Sequence, residues 1–176
     1  SLDVSQNVNL EILECRNNQL TSLDVSQNVN LGYLSCSNNQ LTSLDVSQNV
    51  SLIKLSCDQN LLSSLDVSQN MNLNRLDCYS NDLLNLNIKN NNIIWNSSGT
   101  IYNGQGLNFE GNPNLQYICA DEEDVAMVQS KINAYGYATT CHVNSYCSFT
   151  PSGTFYTING NNHFDGNANG CDSNDF

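Results

Sequence analysis

Residues Leu10–Leu20, LEILECRNNQL, follow the pattern L-x-x-L-x-C-x-x-N-x-L. This pattern returns every 21 residues, and its later copies begin at Leu31, Leu52 and Leu73. A unit of this length is too short to bury its own apolar face, so successive units must stack on one another. The sequence therefore predicts a solenoid with one repeat unit in each turn.

Each unit also contains a second, offset copy of the pattern, L-x-x-L-x-V-x-x-N, which begins at Leu20, Leu41 and Leu62. In both halves apolar side chains alternate with polar ones, as in a short strand, and the asparagine that follows marks a bend. We therefore predict two strands in each turn, stacked into two parallel sheets with neighbouring strands about 4.8 Å apart. The asparagines should point inward and satisfy backbone groups at the bends. They are Asn7, Asn28, Asn49, Asn70, Asn18, Asn39, Asn60 and Asn81.

This repeat resembles the leucine-rich repeat family, and specifically its bacterial subclass with 21-residue units, nested half-repeats and Leu-Asp-Val in the second half. The resemblance covers about residues 1–120. It implies a β-rich leucine-rich-repeat solenoid that serves as a binding scaffold. Because Ser1 falls in the middle of a repeat, we also expect further repeats or a cap before it.

The composition narrows the classes of partner. The chain of 176 residues has a formal net charge of −12 and only 5 Lys and Arg residues. Nucleic acids and anionic membranes attract clustered positive charge, so we expect neither as a partner. No apolar run approaches the roughly 20 residues of a membrane-spanning helix, so we expect no membrane insertion. His142 and His163, the only histidines, belong to no recognisable catalytic or metal motif, so we expect no enzymatic activity.

The repeat weakens in the C-terminal half, where residues 92–106 are expected to form one irregular turn. Leu107 lies 21 residues beyond Leu86, which predicts that Leu107 continues the column of Leu86. The last half-repeat aligns Ile118 with Leu13 of the first copy. We therefore expect the strand positions to keep their register to the end of the solenoid.

Residues 121–135 change to a helical spacing, with apolar side chains three and four positions apart. Asp121 suits the N-cap of this helix, and Gly136 suits the position after its C-terminus. We predict that residues 121–144 form a C-terminal cap, which would cover the last turn and its unpaired sheet edge. The composition of residues 145–176, rich in Tyr, Thr, Ser, Gly and Asn, predicts the start of a second, β-rich module.

Half of the cysteines belong to the repeat. They occupy the strand position where the other half-repeat has valine, so we expect stacked, buried thiols that act as small apolar side chains. A row of four such thiols spans about 14 Å and cannot surround one tetrahedral zinc ion. These residues are Cys15, Cys36, Cys57 and Cys78.

The remaining cysteines are expected to form disulfides, since they are even in number and lie in the loop-rich C-terminal end. We predict that Cys119 is bridged to Cys141 across the cap helix and that Cys147 is bridged to Cys171, although four cysteines allow three pairings. In the predicted register Cys119 points outward and Ala120 takes the core position of the repeat cysteines. Such bridges imply an oxidising, extracellular setting.

The outward face of the second sheet repeats itself. Each turn contains Ser-Leu-Asp-Val-Ser, so Asp24, Asp45 and Asp66 form a column. Carboxylates about 4.8 Å apart repel one another by about 1 kcal/mol in water, so donors or cations must hold them. Hydrogen bonds from serine or backbone groups are the structural explanation; a cation-binding face and an ice-binding face are the alternatives.

The outward face of the first sheet changes from turn to turn. Positions that differ between repeats are not constrained by the stacking of the turns, so this face is predicted to be the binding surface. An unselected, solvated face is the alternative. The predicted surface consists of Ile12, Glu14, Arg16, Tyr33, Lys54, Asp58, Arg75, Asp77 and Tyr79.

A motif near the C-terminus predicts a calcium site. Oxygen-bearing side chains occur at alternate positions and are followed by a glycine, as in a calcium loop of the EF-hand kind. The acidic residue that closes the loop, Asp175, comes one place early for that motif. The segment also resembles the first strands of calcium-binding β-sandwich repeats that follow recognition domains in bacterial surface proteins. An Asn/Gly turn held by a disulfide is the alternative to a metal site. The predicted ligands are Asp165, Asn167, Asn169, Asp172 and Asp175.

Together these features predict a secreted or cell-surface binding or adhesion module that presents the first sheet to a protein or a glycan. A structural spacer or a self-assembling surface component is the alternative, in which the repeats supply length and stiffness. No cofactor other than calcium is expected.

Overall fold

The computed structural model describes residues 2–92 and 106–147. Over these residues the chain is a leucine-rich-repeat solenoid with two parallel sheets and one α-helix at its C-terminal end, which confirms the predicted fold class. The first sheet contains β1 (Ile12–Glu14), β2 (Tyr33–Ser35), β3 (Lys54–Ser56), β5 (Arg75–Asp77) and β7 (Gly106–Asn108). The second sheet contains β4 (Ser64–Asp66), β6 (Asn85–Asn87), β8 (Tyr117–Cys119) and β9 (His142–Asn144).

The core lies between the two sheets and is built from columns of identical side chains. Each strand of the first sheet turns one leucine inward, and Leu34 pairs in register with Leu55, which pairs with Leu76. All three leucines are 0% exposed. Burying a leucine side chain contributes about 1.5 to 3 kcal/mol, so the stacked columns are the main source of stability.

The repeat cysteines form a second inward column beside the leucines. Cys36, Cys57 and Cys78 are 0% exposed, Cys15 in the first turn is buried as well, and all four are free thiols. Burial raises the pKa of the Cys36 thiol to about 12, because the thiolate would lose its hydration inside the core. The prediction of a stacked row of protonated, apolar thiols is confirmed.

The inward asparagines join successive turns. Asn60 donates its Nδ2 to the carbonyl oxygens of Cys36 and Cys57, each at 3.1 Å, and its Oδ1 accepts the backbone N–H of Leu41 at 3.0 Å. One side chain therefore satisfies backbone groups on neighbouring turns that no strand would satisfy. The other column binds only the preceding turn: Asn49 is 0% exposed and its Nδ2 donates to the Val25 and Asn28 carbonyl oxygens at 2.9 Å, while its Oδ1 has no hydrogen-bond partner among the described residues.

The second sheet begins later than predicted. Residues 22–24 and 43–45 occupy the predicted positions but are not strands, and the ladder starts with β4 and β6. In the earlier turns the aspartates follow one another, whereas Asp66 faces Asn87, whose Nδ2 donates to Asp66 Oδ2 at 3.1 Å. Like charges opposite one another weaken a strand pair. The ladder thus begins where the repeating aspartate gives way to asparagine.

The predicted register of the last turns is wrong. Leu107 pairs with Leu76 in the first sheet, and Ile118 pairs with Leu86 in the second sheet, so the two positions are exchanged relative to the prediction. The regular period is interrupted between β6 and β7. Leucines of the two half-repeats look alike in sequence, and only the strand pairing distinguishes them.

Two bends support the observed register. Asn112 Oδ1 accepts the backbone N–H of Leu83 at 3.2 Å, as Asn81 does for Leu62 one turn earlier. Gly111 has φ +71°, and Ser80 has φ +53° at the matching place in the previous turn. A glycine suits this left-handed conformation because it has no Cβ to clash.

The core columns change accordingly. Ala120 follows Ile88 in the valine column of the second sheet, and Phe109 takes the position after Cys78 in the first sheet. Both residues are 0% exposed. The prediction that Ala120 continues the cysteine column is therefore wrong, although its burial was anticipated.

A short 3-10 turn, Glu122–Asp124, leads into helix α1 (Val125–Ala134), and Gly136 follows the helix with φ +82°. The helix buries Val128 and Ile132 against the end of the core. Asp121 occupies the N-cap position of this helical segment, as predicted, but its side chain makes no capping hydrogen bond: its Oδ2 accepts the backbone N–H groups of Asn90 and Asn91 at 3.1 and 3.0 Å. Asp121 binds the preceding turn instead of its own helix because that turn presents unpaired donors.

The disulfide pairing also differs from the prediction. Cys119 is bridged to Cys147, with a Cα–Cα distance of 5.3 Å, and Cys141 is a free, buried thiol. Cys141 belongs to the core cluster before β9, whereas Cys147 lies on the exposed side after β9. The chain that follows β9 therefore brings Cys147 to Cys119, whereas Cys141 stays in the core.

Several predictions lie outside the described residues. Cys171 and most of the expected irregular turn, 92–106, belong to this group, as does all but the first part of the expected module, 145–176. No helix in the described part of the chain has the length and apolar character needed to cross a bilayer. The calcium prediction is likewise untested, because its ligands are outside the described ranges: Asp165, Asn167, Asn169, Asp172 and Asp175.

Candidate functional site

The outward face of the first sheet forms the floor of a groove of about 1320 Å³. The groove extends across the five strands of this sheet, from β1 to β7. Of the nine predicted surface residues, all except Glu14 line it. Glu14 lies at the end of β1, on the same face, with an exposed side chain. The structure therefore brings the predicted side chains together, and whether they bind a partner stays a prediction.

One wall of the groove comes from helix α1, which the sequence did not associate with this surface. Lys131 and Tyr135 line the groove, and Lys131 Nζ lies 5.8 Å from the centre of the Tyr135 ring. The Tyr135 ring is held edge-on against Phe109, with ring centres 5.1 Å apart. Phe109 follows β7, so this packing fixes the helix beside the C-terminal end of the first sheet. The spacing of four between Lys131 and Tyr135 shows that they share a helix face, but the sequence does not show what that face contacts.

Asp58 organises the central part of the groove. It is 6% exposed, and its Oδ1 accepts the hydroxyl of Ser37 from the preceding turn at 2.6 Å. A hydrogen bond to Asp58, together with burial and the charges of Asp58 and Asp77, raises the pKa of Tyr79 in the following turn. Three successive turns are thus tied together by one carboxylate, which holds the Tyr79 hydroxyl in its protonated, donating form.

A second acidic residue in the groove is paired with a cation. Arg75 Nε donates to Asp77 Oδ2 at 2.7 Å, and both residues are on β5. At the opposite end of the face Arg16 and Glu14 approach only to 3.9 Å and are exposed. An exposed pair at such a distance contributes little to stability, whereas the Arg75–Asp77 pair is better ordered by its geometry.

The basic residues of the chain are concentrated around this groove. Of the 5 Lys and Arg residues in the sequence, four line it: Arg16, Lys54, Arg75 and Lys131. The fifth, Lys89, donates its Nζ to the carbonyl of Ser145 at 2.9 Å, beside the second sheet. In a chain with a net charge of −12, the groove is therefore lined by four positive and three negative side chains, the latter being Glu11, Asp58 and Asp77.

The aspartate column of the second sheet has a structural explanation. Asp24 and Asp45 each accept the backbone N–H of the serine two residues later, at 2.9 Å. These hydrogen bonds lower the pKa of both carboxyl groups, and the serine hydroxyls contribute to the same shift. Across residues 2–92 and 106–147, no group of three or more His, Cys, Asp or Glu side chains could hold a metal ion. Local hydrogen bonds thus account for the repeated Ser-Leu-Asp-Val-Ser.

No family model matches the chain, and a search of curated proteins finds no match. Several solved structures are similar to it. The functional domain of InlJ from Listeria monocytogenes, described as including a cysteine ladder, is 26% identical, with 82% of this chain and 46% of that chain covered and a TM-score of 0.49.

A leucine-rich-repeat protein from Leptospira interrogans is 22% identical, with 80% of this chain and 38% of that chain covered and a TM-score of 0.49. An internalin, inlF, from Listeria monocytogenes is 18% identical, with 79% of this chain and 48% of that chain covered and a TM-score of 0.40. The chain thus spans less than half the length of each of these three structures.

Proposed function

We propose that this chain is a non-enzymatic binding module that presents the groove of the first sheet to an extended segment of a protein partner. The observation that carries the proposal is the contrast within each strand of that sheet. The inward leucine is constant in β1, β2, β3 and β5, whereas the outward residue before it changes in every turn and lines one continuous groove: Ile12, Tyr33, Lys54 and Arg75. In repeat proteins such variable, contiguous positions form the binding surfaces.

The size of the groove suits an extended peptide. Five strands about 4.8 Å apart span about 19 Å, which is the length of about six residues of extended chain. Tyr33, Tyr79 and Tyr135 line the groove, and tyrosine is enriched at the energetic centres of protein interfaces. A segment that crosses the strands would therefore meet an aromatic side chain near each part of its length.

The proposed setting is extracellular or at the cell surface. The Cys119–Cys147 bridge supports this, since disulfides persist in oxidising compartments and are rare in the cytosol. The bridge closes 28 residues of sequence around helix α1, so it holds in place the helix that forms the groove wall.

Panning a random 12-residue peptide library displayed on phage against the whole 176-residue chain tests the proposal. Enriched peptides are then measured by fluorescence anisotropy against Tyr33→Ala, Arg75→Ala and Tyr79→Ala. We expect each variant to lose at least about 10-fold in affinity, since truncation at the centre of an interface typically costs more than 1 kcal/mol. The matched controls are Ser43→Ala and Asn85→Ala, which alter the outward face of the second half-repeats and should bind normally.

Other outcomes would contradict the proposal. If no peptide is enriched, or if the groove variants and the control variants bind the enriched peptides equally well, the groove is not the binding site. Enrichment on a panel of immobilised glycans in place of peptides, lost in the same groove variants, would contradict the choice of a protein partner. Circular dichroism and the melting temperature of each variant separate loss of binding from loss of folding.

A second candidate, a self-associating surface component, rests on a different observation. One apolar side chain per turn is exposed along the bend that precedes the first sheet: Val8 52%, Val29 47%, Val50 51% and Met71 60%. Contiguous apolar stripes of this kind mark contact surfaces. If this stripe joins copies of the chain, Val29→Ser with Val50→Ser should convert a concentration-dependent oligomer into a monomer in analytical ultracentrifugation, and a wild-type chain that stays monomeric would exclude the second candidate.

A further inference from the structure

Two of the four cations in the groove have no acidic partner in the described structure. The ion pairs of the described residues join Arg16 to Glu14 and Arg75 to Asp77, and neither Lys54 nor Lys131 has a carboxylate oxygen within 4.0 Å. In an acidic chain, where carboxylates are abundant, this is a notable placement. The groove thus contains positive charge that no carboxylate of residues 2–92 and 106–147 pairs with.

The strand register places two cations side by side. Lys54 on β3 is paired in register with Arg75 on β5, so the two residues lie on adjacent strands of the same face. Like charges directly opposite one another destabilise a sheet by up to about 1 kcal/mol. Stacking alone does not require this arrangement, because the corresponding positions in β1 and β2 hold the uncharged Ile12 and Tyr33.

Arg75 retains donors for a ligand. Only its Nε is bound to Asp77, which contacts the guanidinium from the side. The two terminal nitrogens have no hydrogen bond to any described residue, so their N–H groups are available to a carboxylate in the planar geometry that arginine favours.

The third cation, Lys131, is on helix α1. Lys131 lines the same groove and lies against the Tyr135 ring, half-buried at the wall that helix α1 forms. Burial lowers the pKa of Lys131, because the ammonium loses part of its hydration. A carboxylate bound beside it would restore that lost stabilisation.

We infer that Lys54, Arg75 and Lys131 form a carboxylate-binding subsite in the C-terminal half of the groove, and that the partner segment places an Asp or Glu side chain there. This inference rests on the proposed function and specifies the chemistry of its partner. A discrete acidic side chain fits better than a polyanion. Asp58 and Asp77 line the same groove, so a ligand that is negative along its whole length would meet repulsion there as well as attraction.

The test begins with the peptides enriched on the wild-type chain in the phage selection. We expect Asp or Glu to be over-represented at one position relative to the unselected library. A synthetic peptide with that residue is compared with the same peptide carrying Gln or Asn in its place, by fluorescence anisotropy at about 50 mM salt. The amide peptide should bind about 10- to 30-fold more weakly, since the charge-assisted hydrogen bonds are lost.

A double-mutant cycle then assigns the charge to its partner. Lys54→Gln and Lys131→Gln should each weaken binding of the acidic peptide about 5- to 10-fold and leave binding of the amide peptide unchanged, so the change from acid to amide should cost only about 2- to 3-fold in either variant. Lys89→Gln is the matched control, because it removes the one basic residue outside the groove and should leave the affinity unchanged. Melting temperatures confirm that all three variants are folded.

Three outcomes would overturn the inference. Enriched peptides without acidic residues, or an amide peptide that binds as tightly as the acidic one, would show that the groove binds peptides but has no carboxylate subsite. Equal loss in Lys89→Gln would show a general charge effect. Tighter binding of heparin than of any acidic peptide, lost in Lys54→Gln, would assign the cations to a polyanion. Failure to enrich any peptide at all would instead contradict the proposed function itself.

Discussion

The regular turns of residues 2–92 and the C-terminal end of residues 106–147 satisfy the backbone N–H and C=O groups of their bends in different ways. In the regular turns after the first, the bend that follows each strand of the first sheet contains an inward asparagine that binds backbone groups on two turns, as Asn60 does. At the C-terminal end single side chains take over this task. Asp121 accepts the N–H groups of the turn before it, and the Tyr137 hydroxyl accepts the N–H of Asn112 at 2.8 Å.

The difference shows what repetition provides. A repeated asparagine finds its partners because the neighbouring turn is a copy of its own, so one residue type serves every bend, although the Oδ1 atoms of Asn28, Asn49 and Asn70 have no hydrogen-bond partner among the described residues. The C-terminal end needs individual residues, and one of them leaves a charged group without a partner. Asp124 illustrates this: it is 0% exposed, and neither carboxylate oxygen has a hydrogen-bond partner among the described residues.

The largest expected effect is at a regular bend. Asn60→Ala leaves the N–H of Leu41 and two carbonyl groups buried without partners, and each such group costs about 1 to 3 kcal/mol. We expect the free energy of unfolding in urea to fall by about 3 to 5 kcal/mol. Asn72→Ala is the control, because Asn72 is exposed and makes one hydrogen bond, to Val50, and it should cost less than about 1 kcal/mol. Equal effects in the two variants would contradict the role of the inward asparagines.

The next effect concerns the C-terminal end and its disulfide. Cys147→Ser opens a loop of 28 residues in sequence and should lower the free energy of unfolding by about 2 to 3 kcal/mol. The comparison in the regular turns is Cys36→Val, which replaces a buried thiol with the residue of the other half-repeat and should change stability by less than about 1 kcal/mol. Peptide mapping of the non-reduced protein should find Cys119 joined to Cys147. A larger loss of unfolding free energy in Cys36→Val than in Cys147→Ser would contradict this prediction.

The contribution of Asp124 to stability should change with pH in the direction opposite to that of a paired carboxylate. Burial, with the charges of Asp121 and Glu123, raises its pKa from 3.8 to about 6. The folded protein therefore holds the proton more tightly than the unfolded chain, and its stability falls as the pH rises from 3.8 to about 6. Asp124→Asn should stabilise the protein by about 1 to 2 kcal/mol at pH 7, an estimate reduced for partial solvent screening.

The pH dependence separates this effect from a general change in packing. In thermal unfolding, the gain of Asp124→Asn should be largest above pH 6 and should disappear toward pH 4, where the wild-type carboxyl group is protonated as well. A gain that stays constant with pH, or a loss at pH 7, would show that Asp124 is not an unpartnered carboxylate.

The smallest effect is on the outward face of the regular turns. Asp45→Ala removes the acceptor for the Ser47 N–H and should cost about 0.5 kcal/mol, because both groups can bind water instead. Asp45→Asn keeps an acceptor oxygen and removes charge repulsion from Asp24, so its stability should equal that of wild type within the error of urea unfolding. A stability gain on adding calcium to wild type, lost in Asp45→Asn, would restore the cation-binding interpretation of this column.

The regular turns were predictable because their contacts are set by sequence distance. The columns of Leu34, Leu55 and Leu76, the buried thiols and the inward asparagines all follow from a constant spacing of 21 residues. Each residue contacts the same residue one turn away, so the period alone specifies its neighbour. The variable face of the first sheet was predictable for the same reason, since the columns that differ are visible in the aligned repeats.

The contacts that the sequence could not predict lie where the repeat period is interrupted. The pairing of Leu107 with Leu76, the bridge from Cys119 to Cys147 and the groove wall that carries Lys131 all join segments whose separation is not a multiple of the repeat. Both half-repeats have the same apolar pattern, so the sequence is compatible with either sheet after an insertion. Backbone pairing and core packing select one of the two, because only that register buries Phe109 and Ile118 while satisfying the bends at Asn112 and Asp121.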